Sequence, residues 1–320
     1  MNKSKIEWTD YTWNPITGCL HNCPYCYARR QAKRFCGDVR LNLNDARANK
    51  VGENIWEIEE KWQVRNGRTL VYPLGFHPTF HKYRLDWPKQ VVTGSRVFVC
   101  SMADMFGEWV PDAWIKQIFE ACEDASQHQY LFLTKNPKRY IELDQKGILR
   151  NNDNFWYGTT ITSQTMPFFY SDKYNTFLSI EPIAEPFDKI KVVQSLLSAD
   201  WIIIGAETGN RKGKPVPQLS WFSEILNAAS ESNIPVFMKD SLVNIVGENN
   251  MLRLIPEAMK KTVYSEGTEK KLFSNCGICR EINRKSDMHT ILSKRRRTES
   301  AKVIGYVCEK CYSNFERSLK

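Results

Sequence analysis

Six short apolar runs, each leading into a polar residue at regular intervals, constrain the fold of this 320-residue chain more than any other feature. They are Val97-Phe98-Val99-Cys100, Tyr130-Leu131-Phe132-Leu133, Phe155-Trp156-Tyr157-Gly158-Thr159-Thr160, Thr176-Phe177-Leu178-Ser179-Ile180, Trp201-Ile202-Ile203-Ile204-Gly205 and Ile234-Pro235-Val236-Phe237-Met238. Helical patterns separate most of them. Trp114, Ile115, Ile118, Phe119 and Cys122 are spaced for one helix face behind the start signal Pro111-Asp112. Asn136-Pro137 predicts an N-cap with proline at the first helical position, and residues 188–197 and 220–230 read as further helices. Apolar strands alternating with helices imply an α/β fold, its parallel sheet covered on both faces. The polar residues that follow, Asp104, Lys135, Thr160, Glu181, Glu207 and Lys239, are 31, 25, 21, 26 and 32 residues apart. That rhythm suits successive βα units and predicts a partial (β/α) TIM-like barrel, whose C-terminal strand ends converge on the mouth where chemistry sits. One polar residue at a loop start is ordinary; six, with acids and lysines interleaved, favour a site.

Residues 37–75 break the rhythm with turn-forming Asn42, Asn44, Asn49, Gly52, Asn66 and Gly67. They read as an insertion near the barrel mouth, a candidate lid, with a hairpin or short helix over 56–64. The segment Met1-Asn2-Lys3-Ser4-Lys5-Ile6-Glu7 lacks the apolar stretch of a secretory signal. No uncharged apolar run is long enough to span a bilayer, so a cytoplasmic protein with no membrane partner is expected. In a reducing compartment clustered cysteines point to metal rather than disulfides. Seven of the ten cysteines fall into two clusters, leaving Cys36, Cys100 and Cys122 alone.

The first cluster, Gly18-Cys19-Leu20-His21-Asn22-Cys23-Pro24-Tyr25-Cys26-Tyr27, spaces three thiols as C-x3-C-x2-C. A [4Fe–4S] cube has four irons, usually held by thiolates; three cysteines on one loop leave the fourth iron open. Zinc with Cys36 as fourth ligand, a purely structural cluster and chance spacing are the alternatives. The segment resembles the radical S-adenosylmethionine (SAM) superfamily signature C-x3-C-x-aromatic-C, with Tyr25 in the aromatic position. Through about residue 258 the chain also resembles a phage-associated radical-SAM-like subfamily of unknown function. The matching segments are Glu7-Trp8-Thr9-Asp10-Tyr11-Thr12-Trp13-Asn14-Pro15, Ser101-Met102-Ala103-Asp104-Met105-Phe106, Leu133-Thr134-Lys135-Asn136-Pro137, Ser179-Ile180-Glu181-Pro182 and Gly205-Ala206-Glu207-Thr208-Gly209.

The resemblance implies a cluster on Cys19, Cys23 and Cys26, SAM chelated at the open iron, an external electron donor, and a 5′-deoxyadenosyl radical as the product of SAM cleavage. Superfamily members hold the SAM amino group at a Gly-Gly-Glu-like segment after the second strand. Here Ser101-Met102-Ala103-Asp104 occupies that place without the glycines, which makes Ser101 and Asp104 candidates. Strand-end contacts to SAM are likewise implied for Thr160, Thr162, Glu181 and Glu207. Lys135 and Lys239, with Asp104, are the candidates for catalysis, the lysines holding an anionic substrate or donating a proton, although each taken alone reads first as an ordinary ion-pair residue. The histidines form no ligand set: Pro78 disfavours a metal-binding helix at His77 and His81, His128 reads as a surface residue, and His21 as a solvent-exposed or cluster-tuning one.

The second cluster, Cys276-Gly277-Ile278-Cys279 and Cys308-Glu309-Lys310-Cys311, pairs two C-x2-C arms across 28 residues. That is the pattern of a four-cysteine zinc ribbon binding one Zn²⁺. The chain then divides into a radical-SAM-like unit, 1–258, and a basic zinc-ribbon domain, 259–320. Residues 261–320 carry fourteen Lys and Arg against seven Asp and Glu, most of the net charge of +9. Lys294, Arg295, Arg296 and Arg297 form a run between the arms, either a solvated loop or a nucleic-acid contact. The leading expectation is a radical SAM enzyme modifying or repairing a large anionic substrate such as a nucleic-acid base. The alternatives are a non-catalytic nucleic-acid- or partner-binding protein with structural metals, and an enzyme maturing a peptide or protein.

Overall fold

The computed structural model describes residues 1–64 and 67–259, and the backbone alone of four strands farther along the chain. The chain divides into two compact units, Met1–Lys260 and Lys261–Lys320. The strands of the first unit are β1 (Asn2–Lys3), β2 (Tyr11–Trp13), β3 (Ile16–Thr17), β4 (Asn49–Gly52), β5 (Ile55–Ile58), β6 (Thr79–His81), β7 (Arg96–Val99), β8 (Gln129–Thr134), β9 (Phe155–Ile161), β10 (Asn175–Ile180), β11 (Ile202–Ile204) and β12 (Val236–Met238). Its helices are α1 (Tyr27–Arg34), α2 (Val39–Leu43), α3 (Asp112–Glu123), α4 (Lys138–Gln145), α5 (Ile190–Leu196), α6 (Ser223–Glu231) and α7 (Val243–Val246).

Eight strands form one sheet in the order β1-β2-β7-β8-β9-β10-β11-β12. From β2 onward every neighbouring pair is parallel, and only β1 is antiparallel. The fold is therefore α/β, and all six apolar runs are consecutive members of the parallel sheet. The sheet is open: β12 is edged by the returning segment 251–254, through Met238 N–H to Leu252 O (2.8 Å) and Leu254 N–H to Val236 O (3.0 Å). Covering an edge in this way removes a row of unpaired backbone groups.

Alternation along each strand supplies separate cores. Tyr130 and Phe132 of β8 join a core with the α3 residues Trp114, Ile118 and Phe119, while Leu131 between them turns to the opposite face. Ile203 of β11 shares that opposite face, and its neighbours Ile202 and Ile204 pack with Ile225 and Ala229 of α6. All seven residues of β9 are buried, as expected for a parallel strand covered on both sides. The inner face is built on Trp8, Phe98, Phe177 and Trp201. Each large side chain taken from water there contributes roughly 1.5–3 kcal/mol.

Residues 37–75 are a packed element. β4 and β5 form a hairpin, the outcome that the sequence allowed beside a short helix, and extend a second sheet ordered β3-β6-β5-β4. Its own core holds Trp56, Ile58, Trp62, Leu70 and Leu74, with the Arg47 guanidinium 4.1 Å from the Trp62 ring. The predicted helices form with small shifts; Pro137 is the cap of α4 and not its first residue.

His128 corrects a sequence-based expectation. It is fully buried, with Nε2 3.0 Å from the Pro88 carbonyl oxygen, because the 3-10 turn Pro88–Gln90 lies over it. In the second unit, β13 (Phe273–Asn275) pairs antiparallel with β14 (Ile282–Arg284), and β15 (Met288–Ser293) with β16 (Lys302–Cys308). Cys276, Cys279 and Cys311 of the expected zinc set, and the run Lys294, Arg295, Arg296 and Arg297, lie outside the described residues. Cys308 is described only by its backbone at the end of β16.

Candidate functional site

The cysteine loop leaves β3 through Gly18, whose φ of +85° suits glycine. A Cβ there would lie 2.2 Å from the His77 carbonyl oxygen and 2.7 Å from that of Phe76. Gly18 N–H donates to Met102 O (2.9 Å) and Cys19 N–H to Phe76 O (3.3 Å), so the loop starts pinned between two segments. Cys26 caps the N-terminus of α1, its Sγ 3.4 Å from the Arg29 amide. If Cys19, Cys23 and Cys26 hold the expected iron–sulfur cluster, the Gly18→Ala variant should lose most of its iron while all three thiols are retained. Iron analysis beside a Thr17→Ser control checks this, and wild-type iron in Gly18→Ala would contradict it.

Cys19, Cys23 and Cys26 are half-buried and line one cavity of about 360 Å³. Asp104, Lys135, Thr160, Glu181, Glu207 and Lys239 line the same cavity, as do Tyr25 and Ser101. The strand-end residues of six successive βα units thus meet the cysteine loop. Thr162 does not line this cavity; its N–H and Oγ1 lie 3.3 and 3.4 Å from the Met166 sulfur.

Asp104 is buried and fully engaged. Its carboxylate accepts from Thr134 Oγ1 (2.8 Å), Lys135 N–H (2.9 Å) and Phe106 N–H (3.0 Å), and lies 2.8 Å from His21 Nε2. Burial works to raise its pKa, but the hydrogen bonds and the charge of His21 outweigh that and hold the carboxyl below its ordinary value. His21 is thereby corrected from a solvent-exposed side chain to the tie between cysteine loop and sheet, its ring edge-on to Trp109 at 5.0 Å. Asp104 positions the loop.

The other polar groups pair across the cavity. Lys239 contacts Glu181, with Glu7 Oε2 at 3.8 Å. Arg211 grips Glu207 in a bidentate pair, 2.7 Å for each bond. That pair holds the Glu207 carboxyl below its usual range against the opposing effect of burial. The Lys135 ammonium lies 5.7 Å from the Tyr25 ring centroid, and burial pushes the Tyr25 phenol pKa up. Ser101 Oγ donates to Asn14 Oδ1 (3.2 Å), and the Ser101 carbonyl accepts from the Tyr27 hydroxyl (2.6 Å). Glu7, Arg30, Ser179 and Arg211 belong to the site's surroundings and escaped the sequence reading. Of these, Glu7 and Ser179 lie in the segments that carry the resemblance, and Arg211 follows Glu207 by four residues.

Burial, with the charges of Asp104, Cys23 and Cys26 adding to it, pushes the Cys19 thiol up to about 12. Crowded, half-buried thiols of this kind shed their protons when a metal takes them. Among the described residues, no three His, Cys, Asp or Glu side chains gather around one metal ion's position. Cys36 stands apart, buried with its thiol donating to the Lys33 carbonyl at 3.2 Å. It does not line the cavity that Cys19, Cys23 and Cys26 share. A [4Fe–4S] cube asks for something different, one thiolate on each of several irons, and three thiols spread around one cavity fit it.

A family model described as "Protein of unknown function (DUF5131)" matches residues 3–248, a span that holds the whole cavity. No curated protein matches the chain. Among solved structures, a point mutant of spore photoproduct lyase is 11% identical, over 99% of this chain and 74% of that one, with a TM-score of 0.39. A double mutant of the same lyase, with bound AdoMet and dinucleoside spore photoproduct, is 11% identical over 99% and 73%, with a TM-score of 0.36.

Proposed function

The chain belongs to the DUF5131 family, and we propose that it is a radical SAM enzyme whose [4Fe–4S] cluster is held by Cys19, Cys23 and Cys26. The observation that carries this reading is the meeting of a three-thiol loop and six strand-end polar residues around one cavity. Its size lies within the range of small-molecule pockets. In this reading the first unit is a partial (β/α) barrel with SAM at its mouth. When bound, the cluster and SAM supply one-electron cleavage of a carbon–sulfur bond, with the electron coming from an external donor.

The chain's own residues shape that chemistry. Asp104 fixes His21 and so the loop between Cys19 and Cys23. Trp8, Phe98 and Leu133 give the cavity an apolar wall that keeps water from a reactive intermediate. Glu181 and Glu207, oriented by Lys239 and Arg211, are the carboxylates for the polar groups of SAM, and Thr160 joins them from β9. Lys135 faces the cavity beside Tyr25 as the cation for an anionic substrate. The substrate class that suits these groups is a large anion, a nucleic-acid base in its strand.

Glu207→Ala tests the pocket. A hydrogen bond to a charged group contributes about 1.5–3 kcal/mol, so SAM binding should weaken roughly tenfold or more while iron content is unchanged. Unchanged SAM affinity in a variant with full iron would remove Glu207 from the pocket.

The same proposal assigns one Zn²⁺ to Cys276, Cys279, Cys308 and Cys311, and phosphate contacts to Lys294, Arg295, Arg296 and Arg297. A unit this small draws most of its folding energy from the metal. Compared with the full chain, a 1–258 truncation and a quadruple alanine variant of the basic run should bind duplex DNA more weakly. The variant's log–log salt slope should be shallower by up to about 3.6, from four lost phosphate contacts. Equal binding by all three proteins, or no binding at low salt, would remove the tail from nucleic-acid recognition.

A further inference from the structure

α1 has the sequence Tyr-Ala-Arg-Arg-Gln-Ala-Lys-Arg, four basic residues with no acid. Arg30, Lys33 and Arg34 are exposed on it, at the i, i+3 and i+4 positions that share one helix face. Arg29 turns the other way, bonding Asn22 with its guanidinium 5.4 Å from the Phe76 ring. The loop 208–218 beyond β11 repeats the bias, with Arg211, Lys212 and Lys214 and again no acid.

Helix and loop meet. A Cβ on Gly209 would lie 3.5 Å from the Arg30 guanidinium, and Lys214 Nζ donates to the Gly209 carbonyl at 2.8 Å. Glu207, the acid that precedes the loop, is neutralised by its bidentate pair with Arg211. The basic strip also has a direction. A shallow second cleft runs over Tyr27, Arg30, Gln31, Arg34 and Phe35, and Tyr27 and Arg30 belong to the wall of the main cavity as well. Phe35 and Tyr27 are each 49% exposed along this cleft, and the Arg34 guanidinium lies 5.4 Å from the Phe35 ring.

We propose that the outer face of α1 and the loop 208–218 form a track for a single polynucleotide strand, leading from the Phe35 cleft past Arg30 into the cavity. Three features favour that occupant. The exposed cations Arg30, Lys33, Arg34 and Lys212 complement a phosphate backbone and release its counterions. Exposed aromatic rings at both ends of this run of cations, Tyr27 and Phe35, give unpaired bases a stacking surface. A groove opening into a cavity suits an extruded base, since enzymes acting on bases take them out of the stack. An acidic peptide would use the charge but leave the rings without a role. The inference rests on the cavity being the substrate site, and names the substrate class that reaches it.

The test measures binding of a labelled thymidine oligonucleotide to the full-length protein over a salt series, with iron content determined on the same samples. The triple variant Lys33→Ala, Arg34→Ala, Lys212→Ala changes exposed side chains that do not line the cavity, so iron should stay at the wild-type value. Its affinity at low salt should fall about tenfold or more, and its log–log salt slope should be shallower by about 2, from three lost contacts to a single strand. Arg34→Lys, which keeps the charge, should retain most of the affinity. Phe35→Ala should reduce photocrosslinking of a halogenated oligonucleotide to residues 27–35, whereas the alanine variant of the basic run at 294–297 should leave that crosslink in place. Wild-type affinity and slope in the triple variant would overturn the track, as would polyglutamate competing as well as the oligonucleotide. Neither readout requires SAM cleavage, so a protein without radical activity would refute the proposed enzyme and leave the track to be judged on binding alone.

Discussion

Alanine at any one of Cys19, Cys23 and Cys26 should strip the chain of nearly all its iron and of the broad visible absorbance of a cluster. About four irons per chain are expected in anaerobically reconstituted wild-type protein. The loss should be close to complete for each single variant, because a cube held at three corners already leaves one iron without a protein ligand. Alanine at Cys36, Cys100 or Cys122 should leave the iron in place, since all three are buried outside the cavity. Iron analysis and visible spectra of the six variants decide the matter. Wild-type protein that takes up zinc at this loop after faithful reconstitution would contradict the assignment.

The second large effect concerns the floor of the site. Trp8 is 1% exposed and packs against Phe98, Trp201 and Phe177 at ring-centroid distances of 5.0, 6.0 and 6.1 Å. It fills the inner face of an open sheet just beneath the cavity that it also lines. Trp8→Ala removes a buried ring that neighbouring aromatics cannot replace, at a cost of about 3–5 kcal/mol. The thermal midpoint of the first unit should then fall by on the order of 10 °C. Trp8→Phe keeps most of the packing and should cost markedly less. A Trp8→Ala protein that melts within about 2 °C of wild type would show that Trp8 does not hold the inner core together.

The parts of this fold that were legible in the sequence are those written in local pattern. β7 to β12 announced themselves because strands covered on both faces are apolar throughout, and α3 because its buried face repeats every three to four residues. β2 escaped notice: it has only three residues, Tyr11–Trp13, two of them half-buried, too few to set a period. The sheet β3-β6-β5-β4 was hidden because turn residues dominate 37–75, while two of its strands, β3 and β6, lie outside that stretch and more than sixty residues from each other. The candidate site divides along the same line. The cysteine loop and the strand-end residues were visible because spacing carries the signal. The tie between His21 and Asp104 crosses 83 residues, and the burial of His128 depends on a carbonyl 40 residues away, so nothing local marks either. The basic strip went unread because its halves, in α1 and the loop 208–218, are each ordinary charged segments until the fold brings them together.

The central claim is that the thiol loop and the strand ends form one redox site that cleaves SAM. Its most direct test is incubation of anaerobically reconstituted full-length protein with SAM and dithionite, with 5′-deoxyadenosine followed over time. The expected result is 5′-deoxyadenosine that depends on both the cluster and the reductant, and none from protein with alanine at Cys19, Cys23 and Cys26. Protein that carries a full [4Fe–4S] cluster and binds SAM, yet forms no 5′-deoxyadenosine above the level of the alanine variant, would contradict it.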